Sequence, residues 1–218
     1  MDNVLIMALV NHKHRWIFFH LYKCGGNSLR RVLNEIFPTC EEIHGVHSLP
    51  CDMKYFFDKT YEKGRFESYY KFTLVRNPFD FLVSNWFYAK RHPNHFWHEV
   101  VMRDNMDMEM FIHLYFRTLA NHKNPNVRPM GSNKVVTLLQ YAQDLNGDLL
   151  IDFIGKLEQM DKSQKNIFTK LKQPSQIIPS INISPDKEKD YRKYYNKNSQ
   201  ELAQRLFKED LEYFNYKY

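Results

Sequence analysis

The first third of the chain alternates between short apolar runs, typical of buried strands, and longer stretches with helical periodicity. Residues 16–21 form an aromatic-rich run with the length of one buried strand. After a short polar stretch, apolar side chains recur at the spacing of a helix packed on one face, and Pro38 ends the pattern. That stripe consists of Leu29, Val32, Leu33, Ile36 and Phe37. The pattern predicts a strand, a loop and a helix.

A second strand followed by a helix is predicted in the next part of the chain. Residues 70–75 have the composition of a strand, and an Asn–Pro pair follows one residue later. Asn77 is a suitable N-cap, and Pro78 is favoured at the first position of a helix. We expect this helix to continue to about Lys90.

Further elements are expected on both sides of these two units. The apolar residues 4–10 are expected to form an extra strand or a packed arm, whereas residues 39–49 are polar and rich in histidine. The apolar spacing predicts helices over residues 52–63, 111–119 and 161–171.

The last third of the chain contains a strong turn signal. Asn146 and Gly147 lie between residues 138–145 and 148–154, which predicts a hairpin whose second half is a buried strand. Two helices are expected near the end of the sequence, and Asn198 with Glu201 forms a capping-box pattern for the last one.

The alternation of strands and helices predicts an α/β fold around a central, mainly parallel sheet flanked by helices. The length of 218 residues fits a single domain, residues 1–218. The net charge of +6 suits an anionic ligand, but the basic residues are scattered, which argues against nucleic-acid binding.

The cysteines and the first apolar run bear on the cellular compartment. Three cysteines without a C-x-x-C pair make a disulfide framework or a zinc site unlikely and favour a reducing compartment. The apolar residues 4–10 are too few to span a bilayer, and they lack the features of a signal peptide. We therefore expect no transmembrane segment and a cytoplasmic location.

The loop after the first predicted strand has the composition of an anion site. It reads Lys23-Cys24-Gly25-Gly26-Asn27-Ser28 and leads into a helix, where backbone N–H groups and the helix dipole favour a phosphate. Its glycines allow close approach of the backbone, and Lys23 adds a positive charge. The loop is not a Walker A motif, because there the lysine follows the glycines.

A second anion site is expected after the second predicted strand. Arg76 stands at the carboxyl end of that strand, where open α/β sheets bind ligands, and Ser84 lies two helical turns further on. A guanidinium at Arg76 and a hydroxyl at Ser84 could both contact one phosphate.

These two segments together resemble the nucleotide-binding motifs of sulfotransferases. Lys23 to Ser28 resembles the 5′-phosphosulfate loop PKTGGTS, with Tyr22, Cys24 and Asn27 as departures, and VRNPFDFLVS resembles the 3′-phosphate motif VRNPYDRLVS. The segments LLIDFIGKLEQM and DYRKYYN add to a likeness to bacterial and viral members of the carbohydrate sulfotransferase group, which includes heparan sulfate 2-O-sulfotransferase.

The resemblance implies a P-loop-like three-layer domain that transfers a sulfuryl group from 3′-phosphoadenosine 5′-phosphosulfate (PAPS). The product nucleotide is then adenosine 3′,5′-bisphosphate, no metal is expected, and the acceptor is a hydroxyl, preferably on a saccharide or glycoconjugate. The implied donor-binding residues are Lys23, Cys24, Gly25, Gly26, Asn27, Ser28, Arg76, Ser84 and Arg192.

Two residues are expected to carry the chemistry. Lys23, beside the glycines, is suited to stabilise the bridging oxygen as it leaves, by analogy with phosphoryl transfer. The base should titrate near neutrality, which favours histidine. The resemblance indicates His47 as this base, with His44 in reserve. Arg192 is expected to approach the 3′-phosphate or the acceptor, although a solvated arginine is the alternative.

Other readings of the sequence remain open at this stage. The chain could be a small-molecule P-loop kinase, which the missing Walker A motif disfavours, or a catalytically inactive sulfotransferase-like module that binds a nucleotide or glycan. A less favoured metal site could involve His44 with His47, or His92, His95 and His98.

Overall fold

The computed structural model describes residues 6–44, 49–122, 137–144, 146–179 and 186–218. These residues fall into two compact units. One comprises residues 6–44, 49–76, 140–144 and 146–179, and the other comprises residues 77–122, 137–139 and 186–218. The chain passes from the first unit to the second between Arg76 and Asn77.

A five-stranded sheet forms the centre of the first unit. Its strands are β1 (Ile6–Asn11), β2 (Trp16–Phe19), β3 (Glu41–His44), β4 (Tyr70–Val75) and β5 (Phe153–Lys156), in the spatial order β3-β1-β2-β4-β5. β2, β4 and β5 pair in parallel, whereas β1 is antiparallel to both β2 and β3. Only β1 therefore runs against the others, and the predicted α/β class with a mainly parallel central sheet is confirmed.

The aromatic run that suggested the first strand lies in the interior of this unit. Every side chain of β2 is buried, and the ring of Phe18 stacks on Phe72 of β4 with centroids 5.4 Å apart. Trp16 contacts Phe37 edge-on, which ties the end of the first helix to the sheet. Burial of these large rings contributes to the hydrophobic stabilisation of the sheet.

In the described part of the first unit, the helices α1 (Gly26–Ile36), α2 (Pro50–Thr60) and α7 (Met160–Lys170) accompany the sheet. Each agrees with a predicted helix to within a few residues. α7 is joined to β5 through Ser163, whose hydroxyl accepts a hydrogen bond from the Lys156 N–H at 2.9 Å. A 3₁₀ helix, Leu157–Gln159, links β5 to α7.

The second unit is helical. It contains α3 (Pro78–Arg91), α4 (His98–Arg103), α5 (Met108–His122), the 3₁₀ helix Tyr191–Tyr194, α8 (Lys197–Leu206) and α9 (Lys208–Tyr213). Its interior is again aromatic: Trp97 meets Phe111 edge-on at 5.3 Å, and Phe81 meets Phe207 at 6.2 Å. The predicted helices at Pro78 and over residues 111–119 are confirmed.

The strand β1 (Ile6–Asn11) confirms the extra strand that was one of the two expectations for the first apolar run. The structure differs from the sequence analysis in two other places. The polar stretch 39–49 contains the edge strand β3, which the sequence did not reveal. Charged strands at sheet edges carry little apolar patterning, because only one side of the strand is paired. The capping box consists of Asn196 and Ser199 at the start of α8, not of Asn198 and Glu201.

The predicted hairpin at Asn146-Gly147 is also wrong in its first half. Residues Leu138–Ala142 form the short helix α6, and a single antiparallel bridge joins Gln143 to Leu149. The carboxylate of Asp144 accepts hydrogen bonds from the N–H groups of Asn146 and Asp148, which closes the turn locally. The predicted turn at Asn146-Gly147 is therefore present, but it does not join two strands.

Within the described part of the chain, none of the helices has both the length and the apolar character needed to cross a bilayer.

Candidate active site

The glycine loop and Arg76 lie at the same edge of the sheet. β2 ends at Phe19, the loop follows, and α1 begins at Gly26. The neighbouring parallel strand β4 ends at Val75, immediately before Arg76, and the register pairs Phe19 with Thr73. Because the carboxyl ends of both strands meet here, this edge is where an open α/β sheet binds its ligand.

The loop backbone takes an unusual path into α1. Lys23 has a φ of 60°, in the left-handed region that non-glycine residues rarely occupy, and Gly25, the N-cap of α1, has a φ of 80°. A left-handed lysine costs about 1–3 kcal/mol unless its surroundings enforce that conformation. Such strain is found at functional sites, and here it coincides with a helix N-terminus at the ligand-binding edge of the sheet.

Arg76 stabilises the strained lysine directly. Its guanidinium donates a hydrogen bond from Nη1 to the backbone carbonyl of Lys23 at 3.2 Å. The ammonium of Lys23 lies 5.7 Å from the centroid of the Tyr22 ring. Two cationic side chains are therefore held at one loop, and both are suited to neutralise an anion.

The first turn of α1 is built to receive negative charge. Gly25 has no side chain to cap the helix, and the first turn contains no acidic residue. The N–H of Ser28 donates to the carbonyl of Gly25 at 3.2 Å, while the side chain of Asn27 is exposed. An N-terminus without a side-chain cap or a carboxylate leaves its partial positive charge for a bound anion.

Cys24 is a buried residue of the loop. The side chain is 0% exposed, and its N–H donates to the carbonyl of Leu21 at 3.3 Å. Burial raises the pKa of the Cys24 thiol far above its ordinary value, and the nearby positive charge of Arg76 only partly opposes this effect. The thiol is therefore neutral and inert. Cys24 stands where the sulfotransferase motif has a threonine, and here that position holds a buried side chain.

Two contacts of the loop glycines were not anticipated from the sequence. His20, which follows β2, lies so close to Gly26 that a Cβ at that position would overlap its ring. Leu157 lies over Gly25 in the same way, with its Cδ1 2.6 Å from where a Cβ would be. Their sequence positions gave no signal of these roles, since a histidine beside a strand is usually a packed core residue.

The second predicted anion motif begins α3 in the second unit. Asn77 caps this helix as predicted, accepting a hydrogen bond from the Phe79 N–H at 3.0 Å. Its amide also donates to the carbonyl of Lys217 at 2.8 Å and to the hydroxyl of Tyr191. Ser84 lies in the same helix and is 4% exposed.

Arg192 lies in the 3₁₀ helix that packs beside the start of α3. Its side chain is half exposed, pairs with Asp190 at 3.1 Å, and lies over the rings of Tyr191 and Tyr218. The hydroxyl of Tyr218 donates to the carbonyl of Arg192 at 3.3 Å. Arg192 is thus half exposed and contacts a carboxylate and two aromatic rings.

The predicted base lies outside the described residues. The predicted base is His47. The reserve candidate His44 is the last residue of β3, and its side chain is also not described. His92 stacks on Tyr88, His95 on Phe96, and Nδ1 of His98 bonds the Ala89 carbonyl. Across residues 6–44, 49–122, 137–144, 146–179 and 186–218, no group of three or more possible ligands could hold a metal ion.

Comparison with known protein families identifies the family of the chain. The model of the sulfotransferase family matches residues 7–217, so the match covers nearly the whole sequence. The chain belongs to the sulfotransferase family. Membership of this family indicates that the protein transfers sulfuryl groups. Searches of curated proteins and of solved structures found no significant match.

Proposed function

We propose that this sulfotransferase, acting as one domain over residues 1–218, transfers a sulfuryl group from PAPS to a hydroxyl of a saccharide or glycoconjugate. In this reaction the acceptor oxygen forms a bond to sulfur, the bond from sulfur to the bridging oxygen breaks, and adenosine 3′,5′-bisphosphate leaves. The acceptor proton passes to a base. The observation that carries the proposal is the strained glycine loop held by Arg76 at the end of β2.

The loop residues fit the 5′-phosphosulfate end of the donor. Lys23 would neutralise the bridging oxygen as the bond to sulfur breaks, and the backbone of Cys24, Gly25 and Gly26 would lie along the phosphate. The first turn of α1, which includes Asn27 and Ser28, supports this assignment because it has no side-chain cap and contains no acidic residue. A preorganised donor of this kind contributes about 2.7–4 kcal/mol to catalysis.

The 3′-phosphate is assigned to Arg76 and Ser84 on the resemblance of their segment to the family motif. The hydrogen bond from Arg76 to the loop supports a role for this arginine in the same donor site. Arg192 is proposed as a further contact to the nucleotide or the acceptor, supported by the way two tyrosine rings hold its guanidinium.

His47 is proposed as the base that takes the acceptor proton, on the resemblance alone. A histidine suits this task because its ordinary pKa lies near neutrality. In this role it should affect turnover much more than nucleotide binding. No resident metal is part of the proposal, since Lys23 and Arg76 supply the positive charge that a metal supplies in phosphoryl transfer.

The proposal is tested by incubating the protein with ³⁵S-labelled PAPS and a panel of saccharides, glycolipids, small alcohols and tyrosine peptides. Transfer of label to a saccharide is expected, and Lys23→Ala should reduce it about 100- to 1,000-fold. Transfer to only a non-saccharide hydroxyl would overturn the proposed acceptor. Binding of adenosine 3′,5′-bisphosphate without transfer to any acceptor would instead support an inactive nucleotide-binding module.

A further inference from the structure

The two loop glycines are required for different reasons. Gly25 has a φ of 80°, so a side chain there is strained whatever space surrounds it. Gly26 is not among the residues with positive φ, and its backbone would accept any amino acid. What excludes a side chain at Gly26 is a neighbour, because an added Cβ would lie 2.7 Å from Cγ of His20 and closer still to Cδ2 and Nε2.

His20 connects the sheet to the first turn of α1. It follows β2 and is 9% exposed, and its ring lies nearly parallel to that of Phe18, with centroids 6.2 Å apart. Phe18 in turn stacks on Phe72 of β4. The imidazole is therefore supported by the core on one side and contacts the α1 backbone on the other. Because protein interiors are close-packed, this contact fixes the position of the turn.

We propose that His20 is a positioning residue of the donor site. Its ring lies against Gly26 and holds the first turn of α1 at the place where its N–H groups meet the 5′-phosphosulfate. This inference rests on the proposed function, because the turn is assigned to the donor there. Displacement of reacting groups by about 1 Å can lower the reaction rate about 100-fold. Because the same turn is assigned to the donor phosphate, we expect loss of its support to weaken donor binding as well.

The inference is tested by a double-mutant cycle with binding of adenosine 3′,5′-bisphosphate as the readout. Gly26→Ala places a methyl group inside the His20 ring and should weaken binding about 100-fold, by displacement of the turn. His20→Ala removes the support and should weaken binding about 10-fold. The double variant His20→Ala/Gly26→Ala puts the alanine methyl into the space that the ring vacated. It should bind within about 10-fold of the wild type, which is tighter than Gly26→Ala alone.

Gly25 provides the matched control. Its substitution meets Leu157, and Leu157→Ala opens space for the new methyl group just as His20→Ala does at Gly26. Rescue should nevertheless fail in Gly25→Ala/Leu157→Ala, because the left-handed φ of residue 25 still disfavours a side chain. Rescue at one glycine and not at the other distinguishes a steric role of His20 from a general loosening of the loop.

The donor KM should rise in the variants in the same order as the bisphosphate Kd, while the acceptor KM changes little. Circular dichroism with urea unfolding shows whether each variant is folded. If Gly26→Ala fails to fold, a folded double variant that binds the bisphosphate supports the inference equally. Unchanged binding by His20→Ala, or a double variant that is folded and no better than Gly26→Ala, overturns it. A wild-type protein that binds no bisphosphate overturns the proposed function, and this inference with it.

Discussion

Arg76 donates a hydrogen bond to the backbone carbonyl of Lys23, across the gap between the ends of two parallel strands. This contact links the residue assigned to the 3′-phosphate with the loop assigned to the 5′-phosphosulfate. It also stabilises a lysine in the left-handed region of backbone space. We therefore assign two roles to Arg76: its positive charge binds the nucleotide, and its hydrogen bond supports the loop.

Substitution of Arg76 should weaken nucleotide binding strongly. A hydrogen bond to a charged group contributes about 1.5–3 kcal/mol, so Arg76→Ala is expected to raise the bisphosphate Kd by about 10- to 100-fold. Isothermal titration calorimetry measures this change. Arg31→Ala is the matched control, because it removes an exposed arginine that pairs with Glu35 on α1 and should leave the Kd unchanged. Equal binding by Arg76→Ala and the wild type would contradict the role of Arg76.

Lys23 should matter for turnover far more than a lysine in a similar backbone conformation elsewhere. Lys23→Ala removes the group that stabilises the leaving oxygen, and kcat should fall about 100- to 1,000-fold. Lys172, which follows α7, also has a positive φ, of 55°, and is exposed. Lys172→Ala therefore reproduces the backbone change without the chemistry, and it should retain full transfer activity. Comparable losses in both variants would show that strain, and not charge, explains the effect.

Tyr218 should influence donor binding through Arg192. Its ring lies under the guanidinium and its hydroxyl binds the Arg192 carbonyl, so Tyr218→Ala should loosen the arginine. We expect the donor KM to rise about 3- to 10-fold, in line with the energy of a cation–π contact and one hydrogen bond. Tyr218→Phe keeps the ring and should show a smaller effect. Tyr213→Ala, at an exposed tyrosine, is the control. An effect on kcat alone would argue against Arg192 as a donor-binding residue.

The stability of the protein should depend on pH through Asp210. Burial raises the pKa of this carboxyl to about 6, although the N–H groups of Leu139 and Leu138 and the hydroxyl of Thr137 favour its charged form. The folded state therefore prefers the protonated acid. The corresponding stabilisation is complete below the ordinary pKa of aspartate and is lost as pH rises through about 6.

Urea unfolding between pH 4 and pH 7.5 measures this effect. The Asp210 contribution to the free energy of unfolding should decrease by an amount on the order of 3 kcal/mol across that range. Asp210→Asn should remove this decrease, since the amide does not titrate and its oxygen can still accept the Leu139 N–H, which lies 2.8 Å from Oδ1 of Asp210. Glu209→Gln, at an exposed position on the same helix, should leave the pH profile intact. An unchanged slope in Asp210→Asn would contradict the assignment.

The sequence predicted those parts of the fold where local pattern and tertiary packing agree. β4 and the start of α3 follow from their composition and from the Asn77–Pro78 pair, and both lie where expected. β3 escaped prediction because its only strongly apolar residue is Ile43. α6 escaped because its start is capped by Asp210, which is 71 residues away in the chain. Contacts over such separations leave no periodic signal in a sequence.

The candidate site shows the same division. Motif order alone indicated the glycine loop, Lys23 and Arg76, because strand ends and helix starts can be read locally. The contact of His20 with Gly26 depends on the path of the loop between them, and the contact of Leu157 with Gly25 depends on how the sheet brings distant segments together. Likewise, the sequence showed a cysteine in place of threonine, but only the fold shows that this side chain is buried.

The most direct test of the central claim is a comparison of two nucleotides by thermal shift. Adenosine 3′,5′-bisphosphate at about 100 times its Kd should add roughly 2.7 kcal/mol to the stability of the folded protein. For a chain of this size the expected rise in Tm is about 5–10 °C, whereas ATP with magnesium should produce little change. A rise with ATP and magnesium and none with the bisphosphate would contradict the assignment of this edge of the sheet to a sulfuryl donor.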